Sequence, residues 1–194
     1  MALASSWDAW LPLALILILI LLIKGGFQAR AFCLTVVAVV GFNDGVLART
    51  LKRTVDRPRP HQALNDVRVV DLAKAKPRLL AVFRPVKVKL SRPNLVDVEG
   101  RSFPSSHTVN LFSAALVAVC FFGRRAAWGF ALAALVSYSR IYVGAHWPSD
   151  IVVSIFLGLG STLVLLTALE LLWRRCSSRW LPVIHDRHPR LFAA

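Results

Sequence analysis

The chain has 194 residues, the length of a single domain, and 56% of them are hydrophobic. A mean hydropathy of +0.59 excludes an ordinary soluble globular domain and places the protein in a bilayer. The formal charge of +14 would suit a nucleic-acid binder, but Lys and Arg alternate with apolar runs instead of collecting on one polar module, so no nucleic-acid partner is expected.

Five apolar runs follow in chain order, at about residues 7–23, 31–47, 108–122, 126–143 and 151–173. Most approach the ~20 residues that span a hydrocarbon core, and the first and third are short enough to need help from flanking residues. The first run carries Asp8, has no preceding base and is followed by no small-residue cleavage site, so it reads as a retained anchor. The third shows only Thr108, Asn110 and Ser113 as polar residues near its start, too few for the polar face of a soluble helix. Cys33 and Cys120 lie inside apolar runs and Cys176 in the tail, a spacing that gives neither a disulfide framework nor a metal site.

Between the second and third runs lies the one long polar stretch, residues 52–106, with six of the ten prolines. Residues 63–82 mix apolar side chains with Asp66, Arg68, Asp71, Lys74, Lys76 and Arg78, the composition of an amphipathic segment lying along the interface. Residues 86–90 alternate with period two and predict a short extended piece. A disordered linker is the competing reading for parts of this stretch. The predicted architecture is an all-α integral membrane protein. About five transmembrane helices form a bundle, with an interfacial loop or short-helix insertion between spans two and three. The whole chain, 1–194, is one domain, with an extramembrane loop at 52–106 and a basic tail at 174–194.

Threading five spans puts the ends of the second and fourth and the starts of the third and fifth on one side of the membrane. The other side collects Lys24, Arg30, Arg124, Arg125, Arg174, Arg175, Arg179, Arg187 and Arg190, mostly in short connections or near span ends where positive charge weighs most for orientation. That side is expected to be cytoplasmic, although the long loop carries thirteen Lys and Arg residues of its own.

Three clusters fall together on the outward side. Lys52 and Arg59-Pro60 follow the second run. Taken alone, two bases beyond a span ordinarily contact headgroups, yet a guanidinium fork and an ammonium are also what a phosphate requires. Pro104-Ser105-Ser106-His107 immediately precedes the third run, so its backbone N–H groups are expected at a helix N-terminus that attracts anions, with Ser105 or Ser106 as an added hydroxyl donor. A plain helix start with a serine cap would account for the serines but not for His107 at the membrane edge. Ser139-Arg140 closes the fourth run, His146 follows, and Asp150 opens the fifth helix behind Pro148. A carboxylate near an imidazole can fix its tautomer and leave the other ring nitrogen free to attack, whereas an isolated His-x-x-x-Asp could simply cap a helix.

Lys52-x6-Arg59-Pro60, Pro104-Ser105-Ser106-His107 and Ser139-Arg140-x5-His146-x3-Asp150 resemble the tripartite signature of the type 2 phosphatidic acid phosphatase superfamily. Ten of the eleven signature positions match in order, across residues 52–150. Ser106 departs, standing where that signature usually has glycine. The resemblance implies a membrane-embedded lipid phosphatase. His146 would be the nucleophile, Asp150 its orienting carboxylate and His107 the acid for the leaving oxygen, with Lys52, Arg59, Arg140, Ser105 and Ser106 around the phosphate. It implies no metal or other cofactor. The partners implied are a phosphorylated membrane lipid and the bilayer of a bacterial inner membrane, with the site facing the periplasm or exterior. Undecaprenyl diphosphate is the favoured substrate among undecaprenyl diphosphate, phosphatidic acid, phosphatidylglycerol phosphate and lipid A. A lipid phosphotransferase using the same intermediate and a lipid-binding protein with a relic site are the alternatives.

Overall fold

The structure is a computed structural model that describes residues 7–71, 86–92 and 101–192. Helix α1 (Trp7–Lys24) packs on α2 (Phe27–Phe42), which runs through a π-helical turn at Asn43–Ala48 into α3 (Arg49–Val55) without leaving helical backbone. Asp56 ends this long helix in the left-handed region (φ 41°), and Pro58 and Pro60 prevent its resumption in the same direction. A single turn, α4 (Pro60–Ala63), starts with proline at its first position.

The polar stretch then forms a small antiparallel hairpin. β1 (Arg68–Asp71) pairs with β2 (Lys87–Leu90), Arg68 opposite Leu90 and Asp71 opposite Lys87. The period-two reading of 86–90 is the strand β2. Of the amphipathic segment expected over 63–82, the described part holds the end of α4 and then a strand as far as Asp71, where the β-branched Val69 and Val70 suit a pleated ribbon; residues 72–82 of that segment lie outside the described residues. The described residues are therefore mostly helical with one two-stranded sheet, not purely α. Val70 on β1 packs with Val143 and Ala145, so the hairpin sits on the loop that carries His146. Gly144 permits this: it has φ +72°, and a Cβ there would meet Arg68 O and Val67 Cγ1 at 3.0 Å.

Helix α5 (Ser106–Phe122) stops at Gly123, which takes φ +71°, and a 3-10 turn at Gly123–Ala127 leads into α6 (Trp128–Tyr142), which packs back along α5. Helix α7 (Pro148–Trp180) is the longest element, and its buried stripe of Asp150, Ser154, Gly158, Thr162 and Leu166 recurs every four residues. One face of α7 thus lies against α5. Their backbones meet most closely at Gly158, where a Cβ would lie 2.7 Å from Val109 O. The apolar core, Ala31, Val39, Val117, Phe121 and Leu166, joins α2, α5 and α7. Beyond α7, α8 (Pro182–Arg187) and the following residues fold back: His188 stacks on Phe27 with centroids 4.1 Å apart, and Leu191 N donates to Glu170 Oε2 at 2.9 Å.

Three helical stretches, Phe27–Ala63, Ser106–Tyr142 and Pro148–Trp180, are long and apolar enough to cross a membrane, and Pro12–Lys24 is a shorter apolar helix. Large apolar side chains such as Leu13, Ile16, Phe156 and Val164 point away from the protein. A soluble monomer does not expose such a surface, and in hydrocarbon it is the expected one.

Candidate active site

Each predicted cluster is placed by a helix end. Lys52 lies on α3, not in the loop expected from residue 52 onward, and its ammonium reaches the start of α5, where Nζ donates to Ser106 Oγ at 2.7 Å. That contact closes 54 positions of sequence and brings the first two clusters together. Arg59 follows in extended backbone ahead of α4; its Nε is buried and has no hydrogen-bond partner among the described residues. Arg140 lies in the last turn of α6 and His107 in the first turn of α5. His107 sits within electrostatic reach of Arg140, Lys52 and Arg59.

Ser105 and Ser106 divide the work expected of them. Ser106 takes the lysine. Ser105 is fully buried, its N–H donating to Ser154 Oγ at 2.9 Å and its Oγ accepting from Thr108 Oγ1 at 3.1 Å, so it ties the start of α5 to α7.

His146 lies in the loop between α6 and α7, 5% exposed. Its Nδ1 is 3.9 Å from Asp150 Oδ2, one turn onward, and has no hydrogen-bond partner among the described residues. Burial pushes the imidazole pKa down to about 3, and the Arg140, Arg59 and His107 charges add to the shift while the Ser102 backbone opposes it. The ring is therefore neutral across the physiological range, the form in which a nitrogen lone pair is available for attack. His146, His107, Arg59 and Arg140 form one electrostatic neighbourhood, and Lys52 joins it through His107.

Asp150 is fully buried and saturated with donors. Oδ1 accepts from Arg57 Nη1 at 2.6 Å, and Oδ2 accepts from Ser102 Oγ at 2.5 Å and from Trp147 N at 3.0 Å. The bond from Trp147 N is a helix-capping interaction, so the carboxylate both caps α7 and faces the imidazole. Arg57 and Ser102 escaped sequence reasoning: one is a base among thirteen in its stretch and the other a serine in a polar loop. Asp44 was missed as well. It lies in the π-helical turn within electrostatic reach of Lys52 and His107, and such turns are frequent at functional sites. Among the described residues, no group of three His, Cys, Asp or Glu side chains is placed to hold a metal ion.

Chemically, a neutral buried imidazole, a second imidazole and cations from three helix ends lie within electrostatic reach of one another near the amino end of α5. Such a grouping of charge suits an anion with several oxygens. Over 65 residues the chain is 35% identical to a lipid A 4'-phosphatase of Bacteroides thetaiotaomicron, covering 30% of this chain and 27% of that protein. Over 59 residues it is 41% identical to an undecaprenyl-diphosphatase of Sulfolobus acidocaldarius, covering 29% of this chain and 28% of that protein. The chain thus spans little more than a quarter of the length of these relatives. No solved structure matches. The profile of the family described as the PAP2 superfamily matches residues 10–174, nearly the whole of what the helices and the three clusters occupy, and the chain belongs to that superfamily.

Proposed function

We propose that the protein is a membrane lipid phosphatase working through a phosphohistidine intermediate, with undecaprenyl diphosphate as the favoured substrate. The observation that carries this reading is His146: buried, neutral, one turn from the carboxyl group that Arg57 contacts, and flanked by Arg140, Arg59 and His107. The terminal phosphate of the lipid enters beside the start of α5, where Lys52, Arg59 and Arg140 bind its oxygens. His146 attacks phosphorus as the bond to the leaving oxygen breaks. Asp150 stabilises the positive imidazole, and His107 gives its proton to the leaving oxygen. Water then transfers a proton to His107 and attacks phosphorus, the P–N bond breaks, and inorganic phosphate leaves. The fixed cations stabilise charge on the equatorial oxygens throughout, and they supply the neutralisation that a metal ion provides elsewhere.

The chain is proposed to cross a bacterial inner membrane five times, with the site on the outer side and the bases at 24, 30, 124, 125, 174 and 175 on the inner. An outward site is where a diphosphate carrier becomes available for recycling, and the strongly basic 52–101 stretch suits a doubly phosphorylated headgroup. The names of the two relatives are compatible with a lipid phosphate as substrate.

The test is phosphate release by the purified protein from undecaprenyl diphosphate, phosphatidic acid, phosphatidylglycerol phosphate and lipid A, in chelator and with no acceptor lipid present. Release of free phosphate distinguishes hydrolysis from transfer. His146→Ala is expected to lower release by at least about 10³-fold, as loss of a nucleophile does elsewhere. Unchanged release from that variant would eliminate the mechanism, and loss of all activity in chelator would eliminate its metal independence.

A further inference from the structure

We infer that Arg57 is a positioning residue for this reaction, holding Asp150 so that its Oδ2 edge is presented to His146. The inference rests on the phosphohistidine reading above and adds to it a residue at a position that the three signature clusters leave unspecified.

Asp150 has no exposed surface, and a carboxylate withdrawn from water in this way is retained only with compensating charge and hydrogen bonds. Arg57 supplies the charge through the 2.6 Å contact to Oδ1. The remaining donors, Ser102 Oγ and Trp147 N, both act on Oδ2, the oxygen that faces His146. Without Arg57 nothing described fixes the rotation of the carboxylate about its own axis from the Oδ1 side. The guanidinium makes two further contacts. Its Nη1 also donates to Ser149 Oγ at 3.0 Å, and its carbon lies 5.3 Å from the centre of the Trp147 ring. Trp147 is anchored in turn by Nε1 donating to Pro58 O at 2.9 Å, and Ser102 N donates to Arg57 O at 2.8 Å. The segment around Arg57 thus joins the stretch after α3, the approach to α5 and the start of α7 at one carboxylate. Pro58 and Pro60 on either side of Arg59 restrict the backbone, so holding Arg57 also fixes where the phosphate-binding Arg59 emerges.

The assignment separates Arg57 from the phosphate-binding cations by kinetics. Arg57→Gln, Arg57→Lys, Asp150→Asn and the Arg57→Gln/Asp150→Asn double variant are compared as full chains in detergent, using phosphate release from undecaprenyl diphosphate and from phosphatidic acid, with orthovanadate as a phosphate-like inhibitor. Arg57→Gln is expected to lower kcat about 10- to 100-fold, the scale seen when an outer partner of a functional ligand is removed. KM and the orthovanadate inhibition constant should stay within about threefold, since binding is not the step affected. Arg57→Lys keeps the charge without the planar fork and should recover part of the loss. The double variant should be no more than about threefold slower than Asp150→Asn alone, because both substitutions break one unit. Losses that multiply in the double variant, or orthovanadate inhibition that weakens in step with kcat, overturn the inference. If Arg57→Gln cannot be extracted folded, Arg57→Lys decides: a several-fold loss of kcat at unchanged inhibition supports the role, and wild-type kcat refutes it. Activity persisting in His146→Ala brings down the phosphohistidine reading itself, whereas activity abolished there but intact in Arg57→Gln brings down this inference alone.

Discussion

Ser106 stands where the superfamily signature has glycine, and the structure shows what the extra hydroxyl meets. It accepts from Lys52 at 2.7 Å while its backbone stays in the first turn of α5, and it is not among the described residues with positive φ, so the position makes no demand that only glycine can meet. His146 presents a different residue-scale consequence. Its folded pKa, about 3, lies below the value near 6.5 of an imidazole in an unfolded chain. The unfolded chain therefore binds more protons between those limits, and stability is fully present above about pH 6.5 and falls as pH drops toward 3. The slope contributed is at most about 1.4 kcal/mol per pH unit. Thermal midpoints of wild type and His146→Gln between pH 7 and 4 should diverge, the wild type losing more; parallel curves would show that His146 is not buried neutral.

At the scale of elements, the site depends on how closely α5 and α7 approach. The first turn of α5 carries His107 and that of α7 carries Asp150, and the two helices are pinned where Gly158 faces Val109 and where Ser154 accepts from Ser105 N. The Ser113 hydroxyl donates to Val109 O at 2.7 Å, with Gly158 O beside it at 3.2 Å, and Ser113 Oγ accepts from Asn43 Nδ2 of the π-helical turn at 2.9 Å. Small residues are what allow such an approach between helices in lipid, where packing and hydrogen bonds replace the hydrophobic effect as the associating force. Gly158→Ala would put a methyl group 2.7 Å from a backbone oxygen that cannot swing aside. An overpacking cost of about 1–3 kcal/mol is expected, with a lower thermal midpoint and reduced activity. Gly129→Ala is the control, because its Cβ would meet Ala115 Cβ at 3.4 Å, an ordinary contact. Equal behaviour of the two variants would mean that the α5–α7 approach does not control the site.

For the whole molecule, the arrangement has two ends. The clusters occupy the end defined by α3, the starts of α5 and α7 and the end of α6. The folded-back tail, with His185 Nδ1 2.8 Å from Ser177 Oγ and Trp173 Nε1 donating to His188 O, occupies the other. From Asp150 to Trp173 a helix rises about 35 Å, enough to cross a hydrocarbon core. If the bases at the tail end set orientation as proposed, Cys176, which is exposed, faces the cytoplasm. A membrane-impermeant maleimide should leave it unmodified in right-side-out vesicles and label it in inverted ones. A cysteine in place of Arg101, at the site end, should show the opposite pattern. Labelling of both from one side would refute the five-crossing arrangement.

Helices stand at all five apolar runs, and the last starts at Pro148 as expected, because hydropathy and proline act on the chain over a few residues and are written locally. The three clusters were legible for the same reason, each being a short run of phosphate-suited side chains beside a helix end. The partners of Asp150 were not. Arg57 lies 93 positions away and Ser102 lies 48 away, and nothing in a stretch with thirteen bases marks the one whose guanidinium stacks on Trp147 and meets a buried carboxylate. Composition and spacing determined the helices and the residues suited to phosphate. Only the packing of helix ends against one another decided which arginine meets the buried carboxylate, since that choice is made by distances between segments remote in sequence.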